Sequence, residues 1–107
     1  MSDVKNWKLK LRYGKLKTSF QHFTVIADGE TFEQNDDFGT IAGSPAFFRI
    51  NAWAIDDDQA VDMVISIGRH LGFDATGRIY IYSTDPTEPP GDEPHAYGLG
   101  FNSYQHE

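Results

Sequence analysis

The sequence of 107 residues contains no cysteine. A disulfide framework, a thiolate metal site and a cysteine nucleophile are therefore excluded. It also lacks a long hydrophobic run, since no stretch approaches the roughly 18 apolar residues of a membrane span. The start, MSDVKNWKLKLRY, is charged throughout and lacks the apolar centre of a secretory signal. We therefore expect a soluble cytoplasmic protein with no membrane partner.

Basic residues are scarce beyond the amino end. Six of the nine lysines and arginines lie in the first 17 positions, which leaves three basic against 15 acidic residues from Thr18 onward. Such asymmetry fits a phosphate-binding arm, but we favour the simpler interpretation that the two ends neutralise each other in the fold. The length and the 39% apolar content predict one globular domain over residues 1–107.

Three successive aspartates, Asp56, Asp57 and Asp58, precede the one long helical pattern. Consecutive carboxylates on a helix point about 100° apart, so they do not converge on one metal ion. With Asp56 as N-cap, Gln59 falls at the N3 position of a capping box, and the next two aspartates lie where the helix dipole favours negative charge. The pattern predicts a helix over residues 57–71 and no metal site.

Two glycines mark the end and the buried side of this helix. Gly72 follows the last turn and suits the left-handed conformation that closes many helices. Gly68 falls on the apolar stripe, where glycine is unfavourable by about 1 kcal/mol relative to alanine. We expect the helix to approach the sheet closely at Gly68.

Catalytic and cofactor motifs are missing from the sequence. The G-x-G of YGLGFNS is followed by a serine in place of a third glycine, AGSPA lacks the spacing of a nucleophile elbow, and the four histidines form no metal-binding motif. We therefore expect a protein that is not an enzyme and that binds no cofactor.

Alternating apolar and polar residues predict the strands. In addition, Asp28-Gly29 suits a type I′ hairpin turn, with a short return strand over residues 30–34. Residues expected to face the core are Phe23, Val25, Ala27, Ala46, Phe48, Ile50, Ala52, Ala54, Ile79, Ile81, Tyr97, Leu99 and Phe101. The longer strands are predicted over residues 6–13, 20–27, 46–55, 77–83 and 96–104.

The predicted class is α+β. Its elements follow the order β-β-(short β)-β-α-β-β in a mostly antiparallel, twisted sheet of about five strands, with the long helix on one face. A strand, a helix and a strand in succession usually form a right-handed crossover, which predicts one parallel pair. One helix covers only one face, so we expect function on the other.

The uncovered face is predicted to mix aromatic and basic side chains. Such a surface suits a protein partner or self-association through aromatic anchors. Nucleic-acid binding through the basic first strand is an alternative, as are a purely structural role and an acidic inhibitor that mimics nucleic acid through its aspartates and the loop 85–93. The candidate binding residues are Lys8, Lys10, Arg12, His22, Arg49, Asn51, Trp53, Tyr80 and Tyr82, with Thr24, Gly98 and Gly100 beside them.

Overall fold

A computed structural model describes residues 6–12 and 18–103. The chain forms α1 (Asn6–Arg12), β1 (Gln21–Thr31), β2 (Pro45–Ala54), α2 (Asp57–His70), β3 (Phe73–Asp74), β4 (Ile79–Ser83) and β5 (His95–Ser103). The class is α+β, as predicted. No helix among the described residues is long and apolar enough to cross a membrane.

The five strands of the described residues belong to one antiparallel sheet. β1 and β2 form its centre, β5 lies beside β2, and β3 and β4 both pair with the far side of β1. The predicted parallel pair is wrong, because β4 pairs with β1 and not with β2. β2 precedes α2 in the chain and β4 follows it, and the two strands run in the same direction. In the sheet, however, β1 lies between them.

The segment 6–13 was predicted as a strand, and the structure places α1 over residues 6–12 instead, while residue 13 lies outside the described residues. Its lysines, leucines and arginine are good helix formers, and β-branched residues are absent. Trp7 and Leu11, four residues apart, are half-buried, whereas Leu9 is half exposed. The half-buried residues are therefore spaced as in a helix, whereas the alternation of a strand would also have buried Leu9.

The predicted turn at Asp28-Gly29 and the short strand over 30–34 are also wrong, since β1 continues to Thr31. Gly29 is buried and pairs with Ala46. A Cβ on Gly29 would collide with the backbone carbonyl of Asp74 in β3. This glycine therefore permits the close approach of a neighbouring strand, rather than a tight turn.

The predicted core rows of β1, β2 and β4 are confirmed. Phe23, Val25 and Ala27 are buried in β1, as is the whole row of β2, while Ile79 and Ile81 pack against them from β4. The helix α2 covers this face with its buried residues Ala60, Val64 and Gly68. The buried row of β2 consists of Ala46, Phe48, Ile50, Ala52 and Ala54.

The helix begins and ends as the sequence predicted, within one residue. Asp56 is the N-cap, and its side chain accepts a hydrogen bond from the Gln59 backbone N–H at 2.9 Å. Gln59 reaches back to the backbone N–H of Ile55 at 2.7 Å. At the other end Leu71 is the C-cap, and Gly72 has a φ of 91°. The three aspartates therefore have a structural role at the start of the helix.

One predicted core residue, Tyr97 of β5, faces the opposite way. The β2–β5 register shifts between Arg49 and Asn51, where Gly98 has a φ of 63°, the conformation of a glycine β-bulge. The extra residue reverses the alternation of β5. Tyr97 consequently lies on the side of the sheet away from α2, while Leu99 and Phe101 still pack against the core.

Candidate functional site

The sheet face opposite α2 is called the open face. Its side chains come from four strands whose register places them in rows. One row runs from Tyr80 through Ile26 and Arg49 to Gly100. The next row runs through Tyr82, Thr24, Asn51 and Tyr97. Six of the nine candidate residues, His22, Arg49, Asn51, Trp53, Tyr80 and Tyr82, belong to β1, β2 or β4 at positions of this face.

A shallow depression with a volume of about 330 Å³ crosses the four strands of the open face. Tyr80 and Tyr82 are 40% and 51% exposed, so the two aromatic rings are largely available to solvent. We call this depression the tyrosine groove. Its lining residues are Ile26, Phe47, Tyr80, Tyr82 and Asn102.

The other end of the open face is covered by residues 84–94, called here the cover loop. Trp53 Nε1 donates a hydrogen bond to the Glu88 carbonyl oxygen at 2.9 Å, and the Thr87 backbone N–H donates to the Tyr97 hydroxyl at 3.0 Å. Trp53 is consequently only 3% exposed. The expectation that Trp53 is an exposed anchor on this face is wrong, because the cover loop packs over it.

Beneath the cover loop, His22 is at the centre of a polar cluster. Its Nδ1 lies 3.0 Å from the Thr84 carbonyl oxygen, and its Nε2 lies 2.6 Å from the Tyr97 hydroxyl oxygen. The Thr24 hydroxyl donates to Asn51 Oδ1 at 2.8 Å and lies 2.9 Å from the Thr84 hydroxyl. The cluster therefore connects the cover loop to three strands.

The partners of His22 determine its tautomer. A carbonyl oxygen can only accept, so the proton of the neutral ring lies on Nδ1 and is donated to Thr84. The Tyr97 hydroxyl already accepts from the Thr87 N–H, and its own hydrogen is donated to Nε2. The neutral ring thus satisfies every group in this chain of hydrogen bonds.

The surroundings of His22 favour this neutral form. Burial lowers the pKa of the His22 imidazole below its ordinary value of 6.5, and the electrostatic interaction with His95 acts in the same direction. The hydrogen bond to Thr84 and the charge of Asp85 oppose the shift. The Trp53 ring, with its centroid 5.0 Å from that of His22, adds an apolar wall. A buried, fully bonded histidine of this kind holds the loop in place.

The three basic candidates at the amino end lie on α1, which is not a strand of the sheet. Lys8 and Arg12 line a cavity of about 270 Å³ between α1 and the cover loop, together with Leu11, Asp85 and Pro86. Lys10 is a residue of the same helix. These residues are therefore not part of the open face, and Arg49, which is exposed, is the basic residue of the rows described above.

Tyr97, Phe47 and Thr84 were missed as site residues by the sequence reading. Tyr97 was assigned to the core because strict alternation was assumed along the whole predicted strand, although a glycine inside a strand pattern is a signal for a bulge. No group of three or more potential metal ligands occurs in the part of the chain that the structure describes.

Comparison of this chain with protein-family models, with curated proteins and with solved structures finds no match.

Proposed function

We propose that this protein is a small non-enzymatic binding module whose tyrosine groove engages a protein partner. The observation that carries the proposal is the exposure of Tyr80 and Tyr82 beside Ile26 on a sheet face that α2 does not cover. Tyrosine supplies a large contact area with few rotatable bonds and a hydroxyl that bonds at the rim of an interface. It is accordingly enriched among the residues that dominate binding energy.

The polar groups around the groove support a protein ligand. Asn102 lines the groove, and Arg49 lies next to Ile26 in the same row. An amide and a guanidinium beside aromatic rings can bond backbone carbonyls or carboxylates of a bound segment. A protein segment offers apolar side chains to the aromatic rings, and carbonyl or carboxylate oxygens to Asn102 and Arg49.

Nucleic-acid binding is the competing function, and the charge distribution disfavours it at the groove. Lys8 and Arg12 lie on α1, and from Thr18 onward the chain has 15 acidic and three basic residues. Long-range repulsion therefore opposes the approach of a polyanion. Nucleic-acid binding is nevertheless worth testing, because the basic residues Lys8 and Arg12 line the same cavity.

Comparative capture from a lysate of the native organism tests the proposal. The baits are the parent protein, Tyr80→Ala, Tyr82→Ala and the control Ile41→Ala, whose side chain is 64% exposed in a loop away from the groove. We expect one protein to be retained by the parent and the control and lost by both tyrosine variants. Calorimetry with that protein once purified should show a loss of about 2 kcal/mol, or roughly thirtyfold in affinity, for each tyrosine variant.

Two results would contradict the proposal. One is a partner that binds the parent and the tyrosine variants equally well. The other is saturable binding of single-stranded RNA or DNA that Lys8→Glu with Arg12→Glu removes and that weakens steeply with salt, since this dependence is the signature of phosphate contacts.

A further inference from the structure

β4 forms one outer edge of the sheet. Its five residues, Ile79–Ser83, pair with β1 on one side, and no strand within residues 18–103 pairs with them on the other. A sheet edge of this kind presents backbone donors and acceptors to any further strand that approaches it.

The hydrogen bonds next to β4 show which of its residues point their backbone groups outward. The Asp28 N–H donates to the Arg78 carbonyl at 2.9 Å, and the Thr84 N–H donates to the His22 carbonyl at 3.4 Å. Antiparallel bonding alternates along a strand, so the even-numbered residues of this segment bond to β1. The backbone N–H and C=O groups of Ile79, Ile81 and Ser83 therefore point away from β1, in the plane of the sheet, toward its free edge.

The edge of β4 lacks the features that usually prevent pairing. Its sequence, IYIYS, contains no charge and no proline and is rich in residues that favour strands. The opposite edge of the sheet, β5, is interrupted by the bulge at Gly98 and contains a second glycine at position 100. The two edges thus differ in their readiness to accept another strand.

We infer that β4 pairs with β4 of a second copy of this chain, antiparallel and about a two-fold axis at Ile81. This register places Ile81 opposite Ile81 and Ile79 opposite Ser83, all of them residues with outward backbone groups. It forms about six hydrogen bonds between the copies. A two-fold interface must be complementary to itself, and this uncharged segment meets that condition.

The same register is favourable for the flanking charges. Arg78 of each copy comes opposite Thr84 of the other and next to its Asp85, so each end of the interface brings together opposite charges. These two exposed pairs offset part of the repulsion between two chains of net charge −7. The opposite charges at each end, and the alignment of residues with outward backbone groups, favour a second copy over an unrelated strand.

The dimer also unites the two tyrosine grooves. Tyr80 of one copy lies opposite Tyr82 of the other, so four tyrosines form one continuous patch on the same side of an extended sheet. The role of this patch rests on the proposed function, whereas the pairing of the edges does not. Dimer formation and ligand capture are therefore measured separately.

Sedimentation of the purified protein without ligand, from micromolar to millimolar concentration, tests the pairing. The informative pair of variants is Ile81→Pro and Ile81→Ala, which lose similar packing, while only proline lacks the outward N–H. We expect the parent and Ile81→Ala to dimerise and Ile81→Pro to have a dissociation constant raised about tenfold or more. A parent protein that is monomeric throughout, or a dimer unaffected by proline in a variant shown to be folded by circular dichroism, would overturn the inference.

Cysteine crosslinking tests the register, and this test does not require the proline variant to fold. The chain has no cysteine of its own, so each introduced thiol is unique. Opposite Cα atoms in a hydrogen-bonded antiparallel pair are about 5.5 Å apart, within the range that a disulfide spans. We expect I81C to crosslink with itself, and Y80C and Y82C to crosslink when mixed but not alone. Equal crosslinking at all three positions, or none at Ile81, would refute this interface.

The two proposals fail differently. A dimer that captures no partner would contradict the proposed function and leave the β4 pairing intact. A monomer that captures a partner through Tyr80 and Tyr82 would contradict the pairing alone.

Discussion

Replacing Gly68 of α2 with leucine tests the packing of the helix against the sheet. A Cβ at this position would lie 3.0 Å from Phe73 Cδ2 and 3.3 Å from Phe48 Cδ2. Both phenylalanines are fully buried, and the Phe48 ring stacks on Phe101 with a centroid distance of 4.6 Å. The rings therefore have little room to move, and the three further carbons of leucine must displace them.

The magnitude follows from two opposing effects. Overpacking a core costs about 1 to 3 kcal/mol, and because neither buried ring has room to move we take the upper part of that range, about 2 to 3 kcal/mol, while replacing glycine inside a helix returns about 1 kcal/mol. We expect Gly68→Leu to lower the free energy of unfolding by about 1 to 2 kcal/mol, which for a domain of this size corresponds to a fall in Tm of roughly 4 to 15 °C. Urea denaturation followed by circular dichroism measures the change.

The matched control is Ser66→Leu in the same helix, where the side chain is exposed. It introduces the same leucine without overpacking, so its free energy of unfolding should stay within about 0.5 kcal/mol of the parent. If Gly68→Leu were as stable as Ser66→Leu, the close approach of α2 to the two buried rings would be refuted.

Three further predictions concern the helix cap and the polar cluster. Asp56→Ala should lower the free energy of unfolding by about 0.5 to 2 kcal/mol and Asp57→Asn by less, because only Asp56 accepts the bond from the Gln59 N–H; urea denaturation of both variants checks the order. Tyr97→Phe should cost about 1 to 3 kcal/mol in the same assay, because it leaves buried His22 Nε2 without its hydrogen-bond partner; an unchanged stability would contradict the contribution of this buried hydrogen bond. Because burial lowers the pKa of His22 in the fold, the unfolded chain binds the proton first, so the stability from the neutral ring is present above pH 6.5 and falls as the pH drops below this value. Thermal unfolding across pH should show a shallower decline in His22→Gln, and an identical decline would contradict the role of this histidine.

The parts of the fold that the sequence predicted well are those with a long uninterrupted pattern. β2 has five apolar residues at alternate positions, and all five are buried. α2 combines a cap, a stripe and a closing glycine, and each signal indicates the same boundaries. Agreement among several local signals makes such elements predictable.

The wrong predictions concern elements whose conformation or pairing depends on tertiary contacts. Alternation alone could not separate a strand from a short helix at residues 6–12, whose register depends on helical propensity and on the half-burial of Trp7 and Leu11. Gly29 resembled a turn residue, but its small size is required by β3, which is distant in sequence. The pairing of β4 with β1 rather than β2 also depends on contacts that no local pattern encodes.

The candidate site was predicted in part, because the alternation correctly placed Tyr80, Tyr82, Arg49 and Asn51 on the face away from α2. The burial of Trp53 was not predictable, since it depends on the path of the cover loop over the sheet. The groove was missed as a unit because its residues come from four different strands.

Amide chemical-shift mapping with the captured partner shows whether the tyrosine groove is the binding surface that we propose. We expect the largest shift changes on titration in β4 and at the adjoining positions of the open face, around Ile26, Tyr80 and Tyr82. Changes concentrated on α1 near Lys8 and Arg12, or on the exposed side of α2, with β4 unaffected at saturation, would contradict this proposal.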